Sequence, residues 1–252
     1  MDLLVLMIGL VVGILVGLMG VGGGVFLVPA MVHILRMDQH TAQGTSLFLQ
    51  LPPLGLGALL TYRKKNQVDL KAGLMCAAGI LVGGYFGSEW ANHLNSGNLR
   101  VMFGIFLIVA AVLMGRKHDT PGSPRRTLPN ANHRLVAVLI ISTVVGVASG
   151  LFGVGGGVLL VPLLVGLLGF EQHVAQGTSL VALVPPTGLL AFMNYAAAGH
   201  VSWRVGLWIM PGIFLGGLAG AHFAEELTTR RLRSVLVVLV LVIGVAEAFS
   251  AL

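Results

Sequence analysis

The chain has 252 residues, of which 56 % are hydrophobic and only 10 % charged, with a formal net charge of +6. Ordinary globular domains carry about 25 % charged residues, so this composition excludes a typical soluble enzyme and a disordered chain. The positive balance is not a nucleic-acid footprint: the basic residues sit in short connections between apolar runs, where they orient a chain in a bilayer.

Taken in order, five apolar segments are predicted in the first half, at 2–19, 25–35, 41–61, 70–90 and 98–115. Most lack charge over about 17 residues or more, which is bilayer-spanning length. The first carries Asp2, has no basic run ahead of it and continues into the rest of the pattern, so it reads as a membrane segment and not as a signal peptide. The second is short and reaches only ~16 Å as a helix, which suggests a half-helix. A polar stretch, RKHDTPGSPRRTLPNANH at 116–133, is the expected surface linker. Five further segments follow at 135–152, 158–168, 174–197, 203–223 and 232–251. The expected fold is an all-α polytopic membrane protein, with one membrane repeat over 1–115 and a second over 134–252.

The second set of segments restates the first. GILVGLMGVGGGVFLVP at 13–29 returns as GVASGLFGVGGGVLLVP at 146–162, and AQGTSL at 42–47 returns at 175–180. The offset is 133 residues without a gap, and pairing 1–119 with 134–252 gives 47 identities. A duplicated apolar chain broken by glycine at matching places is the pattern of a secondary transporter whose substrate sits at the breaks.

Charge decides the expected topology. If each half crosses the membrane an odd number of times, 12 of the 15 Lys and Arg residues share one side, and only Arg36, Arg100 and Arg204 face the other. An even count gives a weaker split, 10 against 5. The positive-inside rule favours the odd count, hence an inverted repeat with the 116–133 linker cytoplasmic and the termini opposite. Cys76, the single cysteine, lies in an apolar segment and reads as a small buried hydrophobe.

GVGGGV at 20–25 and 153–158 is the sharpest motif. Gly22, Gly23 and Gly24, with Gly155, Gly156 and Gly157, leave main-chain amides uncovered between apolar segments, which lipid tolerates only where protein or a wet cavity surrounds them. Each triplet opens a short helix whose N-terminus is a ready anion site. Close helix packing is the alternative use of such glycines. No Lys-Ser/Thr follows, so neither is a P-loop.

In AQGTSL, Gln43, Thr45 and Ser46, and Gln176, Thr178 and Ser179, place uncharged hydrogen-bonding groups inside apolar segments, where they suit an oxyanion that is held and then released. Back-bonding to their own helix is the alternative. Pro52-Pro53 and Pro185-Pro186 remove backbone donors within the third segments, so each segment is expected to kink or break there, as architecture or as a hinge. Pro29 and Pro162 are expected in the first turns of the short helices. His40 and His173 match across the repeat, while His33 has no counterpart and lies deepest in an apolar run; all three are candidates for coupling or gating. Glu89 and Glu247 lie near segment ends, where reaching the interface is the default, and Arg100 and Arg233 read as anchors. Gly79, Gly83, Gly84 and Gly87 suit packing within the protomer or in a homodimer. The sequence carries no HExxH, CxxC or nucleophile elbow, so no enzyme, metal or cofactor is expected.

The doubled G-x-x-x-G-x-x-G-x-G-G-G-x-x-x-V-P pattern, each copy followed by A-Q-G-T-S and a proline-bearing segment, resembles the sulfite exporter TauE/SafE family, also described as the 4-toluene sulfonate uptake permease group. The resemblance implies a multi-pass permease of the bacterial inner membrane for small sulfur-containing anions such as sulfite or organosulfonates. The expected partners are therefore a small anionic solute and the lipid bilayer, with no nucleic acid. Two rivals stand beside a carrier: an anion channel using the same loops, and an intramembrane enzyme, whose acid–base constellation the sequence does not display.

Overall fold

In a computed structural model, residues 2–19, 23–52, 56–115, 131–224 and 229–249 are described. Gly22 and Pro53 and most of the 116–133 linker fall outside them. The first half contributes α1 (Asp2–Met19), α2 (Gly24–His33), α3 (Gln39–Leu49), α4 (Leu56–Lys64), α5 (Leu70–His93) and α6 (Ser96–Gly115). The second contributes α7 (Ala131–Phe152), α8 (Gly157–Leu168), α9 (Gln172–Leu183), α10 (Leu189–Ala197), α11 (Trp203–Ala224) and α12 (Thr229–Phe249). No strand occurs among the described residues.

Two expectations need correction. Among the described residues each half has six helices, not five, because the third segment is two short helices: α9 ends at Leu183, α10 begins at Leu189, and Pro185 and Pro186 lie between them. Pro29 and Pro162 do not fall in first turns. Each is the sixth residue of its helix, so the carbonyls of Val25 and Val158, one turn back, lose their intrahelical donor.

Long apolar helices surround the short ones. Among the described residues, 70–93, 96–115 and 133–152 are long and apolar enough to cross a membrane. The surface is inverted relative to a soluble protein: Leu3, Phe86, Val144, Leu207, Phe214 and Val242 are exposed, whereas Gln43, Thr45, Ser46 and Thr178 are buried. A band of exposed apolar side chains this extensive belongs against lipid.

The halves interlock. The first helix of each half packs along the fifth helix of the other, α1 on α11 and α7 on α5. Both pairs run parallel: Gly9 faces Ile209 and Gly13 faces Ile213, while Gly79 faces Ser142 and Gly87 faces Val147. The sixth helices pair with each other and run antiparallel, with Gly104 against Gly244 and Ala248, and Gly115 against Val237. Glycine at these crossings lets backbones touch, the small-residue packing common between membrane helices. Gly79, Gly83 and Gly87 are therefore used within the protomer. A methyl on Gly83 would meet the Thr143 carbonyl, and one on Gly150 the Gly84 carbonyl, so no flexible side chain can give way. Gly83→Ala and Gly150→Ala are each expected to lower stability by about 1–3 kcal/mol, as overpacking does, read as a shift of the thermal unfolding midpoint in detergent.

Candidate functional site

The helix breaks bring the two glycine motifs together. α7 stops at Phe152 and α8 starts at Gly157, with Gly153 at φ +66° and Gly155 at φ +77°. That left-handed backbone favours glycine. Gly24 lies directly against the carbonyl of Gly153 and the Cα of Val154, so the start of α2 from one half touches the loop before α8 from the other.

Neither of these short helices has a side-chain cap: Gly23 precedes α2 and Gly156 precedes α8. α3 provides the contrast, since Asp38 accepts from the amides of His40 and Thr41. Partial burial pushes the Asp38 carboxyl up, but the Ser96 hydroxyl, the Thr41 and His40 amides and the His40 ring together hold it below the usual carboxylate value. The first bonds of α2 run from the Phe26 and Leu27 amides to Gly23 O, and the first bond of α8 from Leu160 N–H to Gly156 O. The amides ahead of these have no acceptor within the helix, and the helix dipole places partial positive charge there.

The AQGTSL groups are engaged across the halves. Thr45 Oγ1 accepts from the Ser202 amide and Thr178 Oγ1 from the Asp69 amide, both at 3.0 Å. Tyr195 Oη donates to Gln43 Oε1, and Tyr62 Oη to Gln176 Oε1, again at 3.0 Å. Gly44 and Gly177 let the opposite chain pass, since a methyl would meet His200 O or Gln67 O respectively. Each AQGTS therefore grips the tyrosine-bearing short helix of the other half and the turn that follows it.

Within this symmetry the two sides differ. Ser46 Oγ donates to Gly153 O at 2.7 Å, and Gln50 Nε2 to the same carbonyl at 3.1 Å, so α3 pins the loop ahead of α8. Ser179 instead bonds back to Gln176 O in its own helix, and Leu183 stands where Gln50 stands in the first half. Gln43 is 0 % exposed and its Nε2 has no hydrogen-bond partner. Gly156 packs on Ile80 and Val145, and Gly157 on Leu183.

The remaining candidates are scattered. Pro52 lines an apolar cleft of about 440 Å³ with Leu49, Met210, Pro211, Ile213 and Phe214. Pro185 and Pro186 are exposed in the turn between α9 and α10. His40 is buried, with Nδ1 3.1 Å from Ser96 Oγ, Nε2 2.9 Å from Ala91 O, and its ring stacked on His200; His173 is exposed. His33 joins a charge cluster that the sequence did not disclose. Its Nε2 lies 2.9 Å from Glu247 Oε1, and Arg100 Nε lies 2.8 Å from Glu247 Oε2. Glu247 was expected at the interface but is fully buried, because α2 and α6 cover it as α12 ends. Tyr62 and Tyr195, which fix the glutamines, had only their repeat equivalence to mark them. Among the described residues no group of His, Cys, Asp and Glu could hold a metal ion.

Against known families, residues 4–246 match the sulfite exporter TauE/SafE family. The chain belongs to this family. The chain is 30 % identical to the probable membrane transporter protein YunE of Bacillus subtilis over 96 % of this chain and 95 % of that one. It is 28 % identical to a probable membrane transporter protein of Xylella fastidiosa, over 88 % and 85 %, and 26 % identical to the probable membrane transporter protein MJ0441 of Methanocaldococcus jannaschii, over 99 % and 95 %. No solved structure matches. Family and apolar helices together make this a multi-pass membrane protein of the transporter class.

Proposed function

We propose that the chain is a secondary carrier for small sulfur-containing oxyanions, such as sulfite or organosulfonates, in the bacterial inner membrane. The anion sits between the glycine loops of the two halves, held by main-chain amides at the starts of α2 and α8. The observation that carries this reading is the contact of Gly24, at the uncapped start of α2, with Gly153 and Val154 in the loop that leads to the uncapped start of α8. Gln43, with its Nε2 unused and buried beside Gly153, is the side chain nearest to hand as a further donor.

Alternating access then arises from movement of one half against the other, with the breaks after α3 and α9 as hinges. The antiparallel course of α6 and α12, equivalent helices of the duplication, supports an inverted repeat. Three groupings join residues that the positive-inside reading puts on one face: Asp2 with Arg204, His33 with Arg100 and Glu247, and Tyr62 with Gln176. They support termini on one side and the linker on the cytoplasmic side.

The test is flux of labelled sulfite and a small organosulfonate in proteoliposomes. Saturation and counterflow are expected of a carrier; flux that never saturates indicates a channel. At Gly23 and Gly156 an added Cβ first meets the ends of the Leu27 and Ile80 side chains, so Gly23→Val with Gly156→Val is the variant to assay, its thermal unfolding midpoint checking the fold. Hydrogen bonds to a charged group are worth about 1.5–3 kcal/mol, so loss of even one is expected to lower flux at limiting substrate by about tenfold or more. Unchanged flux in that variant ends the glycine-cradle reading.

A further inference from the structure

The duplicated pocket is matched across the halves, but the His33–Arg100–Glu247 cluster is not. The positions equivalent to His33 and Glu247 are Gly166 and Met114. Whatever the cluster does, it acts on one face only. It joins three helices from both halves, and α2 is the helix whose opposite end opens at Gly24 beside the anion site.

Resting on the carrier reading, we infer that His33 is the proton-binding site that couples anion movement to a proton gradient. Glu247 is 0 % exposed, while the His33 side chain is 42 % exposed and so open to proton exchange. An ionisable group of this kind inside a transporter marks a proton or ion path, and histidine is the side chain that ordinarily exchanges protons near neutral pH. The carboxylate is held by the Arg100 guanidinium at one oxygen and faces His33 Nε2 at the other. The Arg100 guanidinium compensates the buried Glu247 carboxylate, and the exposed ring is the member of the cluster that can exchange a proton with solvent.

The neutral ring carries its hydrogen on Nε2, donating to Glu247. A second proton enters at Nδ1; Arg100 Nη2 lies beside the ring, 3.2 Å from Nδ1 and 3.1 Å from Nε2. Two cations in contact repel, so Arg100 moves off the ring while the Nε2–H bond to Glu247 stays. The other ionisable groups around α2 are committed elsewhere. On α3, His40 bonds to Ser96 and Ala91; ahead of it, Asp38 takes the Ser96 hydroxyl. On α1, Asp2 pairs with Arg204; Arg36, in the turn after α2, is exposed. α2 thus carries the anion at its N-terminal end and the proton at its C-terminal end, where the helix dipole also favours a cation. Opposite charges at the two ends favour joint occupancy, which is proton–anion symport.

The experiment uses the full chain in proteoliposomes with membrane potential clamped and labelled sulfite as solute. One proton per anion predicts about tenfold accumulation on the alkaline side for each unit of pH gradient. His33→Gln, which preserves a donor toward Glu247, is expected to keep sulfite–sulfite counterflow and lose gradient-driven accumulation. Sulfite's own protonation affects both proteins equally and drops out of the comparison. Accumulation surviving in His33→Gln, or a wild-type protein that counterflows but ignores the gradient, overturns the inference. Loss of counterflow together with accumulation assigns His33 a structural role and overturns it as well. A wild-type protein with no sulfite counterflow overturns the carrier reading for sulfite, and the coupling site with it.

Discussion

Gly24→Ala is expected to abolish transport and to destabilise the protein by about 3 kcal/mol or more, the upper range for overpacking. The added methyl would meet the Gly153 carbonyl and the Val154 Cα, both main-chain atoms, and the carbonyl is held in place by Ser46 and Gln50. Neither can rotate away. Gly23→Ala, one residue earlier, meets only the tip of Leu27 at 3.1 Å and is expected to fold normally. Comparing the two by thermal unfolding in detergent separates contact between the halves from glycine content as such. Equal midpoints for both variants would show that the loops are not pressed together.

Arg100→Leu is expected to cost about 3–5 kcal/mol, because it removes the guanidinium partner of a fully buried carboxylate. The charge of Glu247 then lacks its strongest compensation in a low-dielectric setting. Arg100→Leu combined with Glu247→Leu is expected to regain most of the loss, since replacing both members of a buried pair by apolar groups is often neutral. The readout is the unfolding midpoint of both variants at neutral pH. A double variant no better than the single one would mean that Arg100 acts through packing of its aliphatic stem.

The sequence made the local events legible and left the long-range partners hidden. The short helices and their breaks follow from glycine and proline at fixed places, and those signals repeat 133 residues apart. The proline pairs marked 41–61 and 174–197 for a kink or a break, but not which of the two, because both flanks are apolar and periodicity does not separate two helices from one bent one. The glycines at 79, 83 and 87 fall four apart and so announce a contact face. That the face receives α7, and not a second copy of the chain, depends on tertiary arrangement. Glu247 looked peripheral because it lies four residues from the end of the predicted segment 232–251; its burial comes from His33 and Arg100, 214 and 147 residues away in the chain. The tyrosine–glutamine pairs were equally invisible, since each joins residues at least 114 positions apart.

The exchange of first helices between the halves, α1 lying on α11 and α7 on α5, has a bearing on how such a molecule is born. During synthesis, α1 and α5 emerge with grooved faces whose complements have not yet been made. The nascent first repeat is an unfinished object and must wait in the bilayer, with lipid or the insertion machinery as a temporary lining. The same logic reaches back before duplication: an ancestral single-repeat polypeptide would have needed a second copy to cover those grooves, and gene fusion made an obligatory pair covalent.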